Sequence, residues 1–290
     1  MELENKEMLK IKSLNRVESL FIIILGLVLF ANKSISQISP PGLGKTNIGS
    51  WIAVGIRQEL DTIEGRGWQS MSYVGLGRKS NPDNYNPFHK AGIFIANQEF
   101  HHQFHKTWQY SLALSYRRQD QYLDNPPYEY DKPNLQQEFR VYARLSYLYH
   151  TSRIKIVPTI RQEFRKYFTP DFKNADDNFQ FRSRFRIQLS ANLDRKKKHR
   201  LVLSSEQLFS ISMKTKANQW TDFNYRESRF SFYYSYSPKT SPFIFNIGYM
   251  NNLVGNKKVY SAHYLAFDII IENPFKLQQR NKDSIKENYE

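Results

Sequence analysis

The chain has 290 residues, a net charge of +15 and no cysteine. The missing thiols exclude disulfides and thiolate metal sites, so nothing in the fold depends on redox state. Its basic residues are interleaved with glutamates, as in Arg161-Gln-Glu-Phe164 and Tyr225-Arg-Glu-Ser-Arg229, and form no patch suited to nucleic acid.

The N-terminus reads as an export signal. Lys10, Lys12 and Arg16 precede an apolar run from Leu20 to Ala31, and Ser34 and Ser36 supply the small residues of a cleavage site. Such a run covers about 18 Å as a helix, short of a bilayer core of about 30 Å. Residues 1–36 are therefore expected to be a cleaved signal peptide, with Gln37 opening the mature chain. A nucleic-acid role inside the cell is then not expected.

From Trp51 onward, polar and apolar residues alternate. Strand candidates fall near residues 48–60, 68–79, 91–104, 108–119, 135–150, 153–168, 178–194, 199–213, 223–237, 243–253 and 259–273. Most exceed the length of soluble strands and reach the roughly nine to eleven residues of a tilted bilayer crossing. The pattern predicts an all-β protein, an antiparallel transmembrane β-barrel over residues 37–275. Residues 276–290 read as a polar periplasmic tail.

Connections alternate between short ones, such as Thr151–Ser152, and long ones, such as Ser80–Lys90, which assigns short turns to the periplasm. If the last strand descends to the periplasm, the strand at Trp51 also descends, and an ascending strand should precede it. Bacterial single-chain barrels have even strand numbers, so about twelve strands are predicted, with ten as the alternative.

Alternation assigns the faces. Phe139, Val141 and Leu145 share one face, and Glu138, Arg140 and Arg144 the other. The same reading places Arg161 and Glu163, then Arg182, Arg184 and Arg186, then Glu206, then Glu227 and Arg229, on the lumen side. Consecutive strands thus put Glu beside Arg, which pair bidentately. Such a belt serves either to close the lumen and fix register or to line a constriction that selects anions.

Other candidates carry less. His101, His102 and His105 fall in a predicted turn and read as interface residues, since no paired-ligand spacing accompanies them. His150, His199 and His263 are scattered among serines without a catalytic motif. Asp120, Asp124, Asp176 and Asp177 read as solvated loop acids, and Lys196–Lys198 as a hydrophilic turn cap. No metal, no cofactor and no catalytic residue is expected.

The chain resembles a family of outer-membrane barrels classed as domain of unknown function 2490. The resemblance rests on the strand opening at Trp51, on Gln137-Glu-Phe-Arg140, on Phe181–Leu189, on Ser205–Phe209, on Tyr225–Phe230 and on Ile247–Met250. It implies a single barrel in the outer membrane and no particular activity. The expected protein is a monomeric, non-catalytic, porin-like barrel: a narrow anion-preferring pore, or a structural element with a Glu/Arg-filled lumen. Its expected partners are outer-membrane lipids, lipopolysaccharide and the barrel-assembly machinery. Two rivals from other classes are an outer-membrane lipid-modifying enzyme and a secreted soluble β-rich binding protein.

Overall fold

A computed structural model describes residues 38–63, 66–214, 218–255 and 259–275. The chain divides after Ser36. The expected signal, residues 1–36, and the expected tail, residues 276–290, lie outside the described residues.

Thirteen strands follow in chain order: β1 (Ile48–Ile63), β2 (Arg66–Lys79), β3 (Lys90–His105), β4 (Trp108–Tyr122), β5 (Tyr130–Tyr147), β6 (Tyr149–His150), β7 (Ile154–Phe168), β8 (Asn174–Asn192), β9 (His199–Lys214), β10 (Gln219–Trp220), β11 (Asn224–Tyr236), β12 (Phe243–Val254) and β13 (Tyr260–Glu272). β6 and β10 are two-residue bridges that pair with β7 and β9. The other eleven close into one barrel, each long strand antiparallel to the next.

The closure differs from the expected one. β13 pairs with β1 in parallel, from Ile48 opposite His263 to Arg57 opposite Glu272. The barrel is therefore mixed and has eleven strands, not twelve or ten. As the alternation of loop lengths requires, β1 and β13 both run away from the long-loop end, but the ascent that precedes β1 is not part of the wall. Residues 38–47 make that ascent inside the barrel, as described below.

Several connections are tighter than expected. β3 continues through His105, leaving only Lys106 and Thr107 as the turn to β4. His101 consequently faces inward beside Glu99, and His102 stacks outside on Trp68 with ring centroids 4.5 Å apart. β8 begins at Asn174, so Asp176 and Asp177 belong to a strand and not to a loop.

Every long strand exposes large apolar side chains on the outer wall. Ile52, Leu76, Phe100, Leu112, Val141, Phe164, Ile187, Leu203, Phe230, Ile247 and Leu265 supply one each from β1 round to β13. Soluble proteins rarely carry a contiguous apolar surface of this extent. Several polar residues within this wall pair with one another. Gln162 accepts from Ser183 directly opposite it at 2.8 Å, and Gln207 from Ser228 at 2.5 Å. The Gln98 amide donates to Ser70 at 2.9 Å and its oxygen accepts from Ser72. Each pair removes a polar group that would be costly to leave unsatisfied away from water.

Candidate functional site in the barrel lumen

An eight-stranded barrel has an interior just wide enough for side chains to fill, and diameter grows with strand number. Eleven strands leave more space. This chain fills it in two ways, one on each side of the lumen.

On the side lined by β4 to β11, the filling is ionic. Glu163 on β7 is fully buried and meets Arg161 at 2.6 Å, Arg184 on β8 at 2.7 Å and Arg165 at 2.7 Å, with Arg140 on β5 at 3.7 Å. Glu138 on β5 pairs with Arg140 at 2.7 Å, Arg165 at 3.5 Å and Arg117 on β4 at 3.9 Å. Arg184 continues the chain to Glu206 on β9 at 3.3 Å, and Glu206 lies 3.8 Å from Arg229 on β11. Arg229 then holds Glu227 at 2.7 Å, which also receives Arg182 at 3.3 Å and the Asn252 amide of β12 at 2.9 Å. One network thus runs across seven strands.

A second centre lies further from the long-loop end. Glu99 on β3 binds Arg144 at 3.2 Å and accepts from Tyr142 Oη at 2.9 Å and Ser111 Oγ at 2.5 Å. The Arg161 guanidinium sits 3.5 Å from the Tyr142 ring centroid, linking the two centres by a cation–π contact. Arg186 lies among Arg144, Arg184, Glu206 and Glu99.

All eleven residues assigned to the lumen from alternation therefore have inward side chains: Glu138, Arg140, Arg144, Arg161, Glu163, Arg182, Arg184, Arg186, Glu206, Glu227 and Arg229. Of those in ion pairs, the most exposed side chain is Arg144, at 16%. Sequence reasoning missed Glu99, Arg117 and Arg165. Their signal was present: Arg165 lies two residues beyond Glu163, and Glu99 continues the buried series Ile93, Ile95, Asn97.

The other side of the lumen is lined by small residues and filled by chain. Residues 38–47 run inside the wall, with Ile38, Pro40, Pro41, Leu43 and Thr46 buried. The segment starts at the level of Gly55, where an added Cβ would lie 3.1 Å from Ile38 Cδ1. It ends at the long-loop rim, where Thr46 Oγ1 donates to the Ser80 carbonyl at 3.0 Å. Leu43 occupies the notch left by Gly49 and Gly77; a Cβ on either would approach it to 2.6 or 2.9 Å. Gly44 has φ +77°, a conformation glycine adopts without a Cβ clash, and it turns the segment toward the rim.

Polar contacts fasten this segment to both halves. Leu43 N donates to Tyr264 Oη at 3.0 Å, Lys79 Nζ donates to the Leu43 carbonyl at 3.0 Å, and Arg117 Nη2 donates to the Gly42 carbonyl at 2.7 Å. Between segment, belt and long-loop rim remains a cavity of ≈ 210 Å³, whose lining includes Arg117, Arg165, Arg182 and Arg229.

Below the belt the inward ionisable groups include Arg57, Lys155, Arg200, Glu272 and the fully buried Asp268. Arg57 pairs with Glu272 across the parallel seam at 2.8 Å, and Arg200 donates to Asn192 at 3.1 Å. Among the described residues, no group of three His, Asp or Glu side chains is placed to hold a metal ion.

No family model matches this chain, and no curated protein matches it.

Proposed function

We propose that this chain is a monomeric outer-membrane β-barrel whose lumen is held shut by the Glu/Arg belt together with the luminal segment of residues 38–47. The observation that carries the reading is the complementary filling: buried ion pairs occupy one half of the interior, and the chain's own segment occupies the other. Membrane insertion is supported by the apolar outer wall on all eleven long strands and by the pairing of several of its polar residues. A secreted soluble protein would have to carry that wall in water. The export signal read at residues 1–36 and the resemblance to the domain of unknown function 2490 barrels point the same way.

Shutting by a segment differs from shutting by side chains alone, because a segment can leave. With it removed, arginines outnumber glutamates along the opened path, and the pore should prefer anions. Planar-bilayer recordings test this. Mature protein should give no sustained conductance, whereas a variant lacking residues 38–45 should give steps with anion preference. Replacing Arg182, Arg184 and Arg186 with glutamine in that variant should weaken the preference. Free conductance of the intact protein would overturn the reading. Both proteins should shift on boiling in a detergent gel, which shows that the deletion leaves a folded barrel.

A further inference from the structure

Among the described residues of the outer wall, one polar cluster joins four side chains across β12 and β13. Tyr249 and Asn251 on β12 and Ser261 and His263 on β13 all face outward, near the long-loop end. Asn251 Nδ2 donates to Ser261 Oγ at 2.6 Å, and Ser261 Oγ lies 3.5 Å from His263 Nε2. His263 Nδ1 lies 2.6 Å from Tyr249 Oη, with the two rings stacked 6.0 Å apart. A hydroxyl, an imidazole within reach of it, and a third group orienting the imidazole are the parts of an activated nucleophile.

Their position on the wall supplies the second argument. Along β13 the outward residues are Ser261 and His263, then Leu265, Phe267, Ile269 and Ile271. Along β12 they are Asn251 and Tyr249, then Ile247, Phe245 and Phe243. The cluster thus lies where the wall changes from polar to apolar. An amphiphile lying against this wall would put its ester linkage at that boundary, between headgroup and acyl chain.

We infer that Ser261, His263 and Asn251 form an acyl-transfer site on the outer wall, acting on the carboxylic esters of membrane lipids. This rests on the membrane reading above. His263 Nδ1 lies 2.6 Å from Tyr249 Oη and 3.4 Å from Asn251 Nδ2; with Nδ1–H donating to Tyr249 Oη and the Asn251 amide given to Ser261, Nε2 presents a lone pair to Ser261. Ser261 Oγ attacks the ester carbonyl carbon while His263 Nε2 takes its proton. Asn251 Nδ2, which donates to Ser261 Oγ in the resting site at 2.6 Å, carries a second N–H to offer the oxyanion formed on the attacked carbonyl. Collapse breaks the ester C–O bond, and His263 returns the proton to the departing alcohol. Water then attacks the acyl-Ser261 carbonyl, giving its proton to His263, and the fatty acid leaves with Ser261 restored. The Ser–His distance is at the long end of hydrogen bonding, as catalytic pairs often are before substrate binds.

Mature protein folded in detergent would be treated with a fluorophosphonate probe and the labelled peptide identified by mass spectrometry. Release of fatty acid would be followed from phosphatidylethanolamine micelles and, separately, from lipopolysaccharide. The expected result is a label on Ser261 and release from one of the two lipids, which names the ester source. Ser261→Ala should abolish both signals, and His263→Ala should lower release by roughly 100-fold or more. Tyr249→Phe tests a positioning role: it should shift the pH profile of release while the label on Ser261 persists. No label on Ser261 together with no release from either lipid overturns the proposal. The boiling shift, measured on the same samples, separates that failure from loss of the barrel.

Discussion

Arg117 Nη2 donates to the Gly42 carbonyl at 2.7 Å, and the same guanidinium lies 3.9 Å from Glu138. One side chain therefore joins the luminal segment to the ionic belt. Lys79, which donates to the neighbouring Leu43 carbonyl at 3.0 Å, is the second tie. Hydrogen bonds from charged donors contribute about 1.5–3 kcal/mol each. Removing both with Arg117→Ala and Lys79→Ala should let the segment leave the lumen more often. Because the chain has no cysteine, Ser39→Cys gives a clean reporter. Its modification by a bulky maleimide should be at least about tenfold faster in the double variant. Equal rates would mean that packing, not these bonds, retains the segment.

Packing is tested separately at Gly49. Its missing Cβ would lie 2.6 Å from Leu43 Cδ1 and 3.1 Å from the Arg78 carbonyl. Gly49→Val fills the notch and should expel Leu43, again exposing Ser39→Cys to the maleimide. Overpacking typically costs about 1–3 kcal/mol, so the barrel itself should survive and still shift on boiling. Leu43→Ala in the same variant removes the clash and should return labelling toward the slow rate.

The contrast between wall and lumen explains what the sequence could reveal. Strict alternation on β5, β7 and β8 makes Glu138, Glu163 and Arg184 legible in the sequence as residues of one face, since the strand period fixes the face. The eleven candidate strands are legible too; the strand directions and the even-number rule together add a twelfth, because both assume that the ascent before Trp51 lies in the wall. Residues 38–47 could not be recognised as the missing ascent. Pro40, Pro41, Gly42 and Gly44 have no alternation, and their fit depends on Gly49 and Gly77 of two other strands. The Ser261–His263 pair was hidden for a related reason. Its Asn251 and Tyr249 partners come from β12, and only the cross-strand register brings them together.

Glu163 is the position where the belt should be most sensitive. Its carboxylate answers Arg161, Arg165 and Arg184 within 2.7 Å. Glu163→Gln keeps the shape but leaves buried guanidiniums uncompensated, a loss of about 3–5 kcal/mol when one partner of a buried pair is removed. The urea midpoint of the protein in lipid vesicles should fall accordingly at unchanged slope. Adding Arg184→Met removes one orphaned charge and should recover part of the loss, although Glu206 then has Arg229 at 3.8 Å as its remaining ion-pair partner, with Arg186 nearby. A midpoint unaffected by Glu163→Gln would show that water already screens the network.

The parallel seam makes the sharpest claim about the wall. Ile52 on β1 lies directly opposite Phe267 on β13, and both face outward. Adjacent strands are about 4.8 Å apart, inside the Cα separation that a disulfide accepts. The pair Ile52→Cys and Phe267→Cys should therefore cross-link under mild oxidation in the folded barrel. A twelfth strand in the wall would double that spacing to roughly 9.6 Å, beyond the reach of a disulfide. Cross-linking joins residues from the two ends of the wall, so it closes a loop of almost the entire barrel and changes mobility on a denaturing gel. Ile52→Cys with Leu76→Cys, opposite each other on the antiparallel β1–β2 pair, provides the positive control. Efficient cross-linking of the control without the seam pair would mean that β1 and β13 do not meet, and the luminal ascent would then need a different explanation.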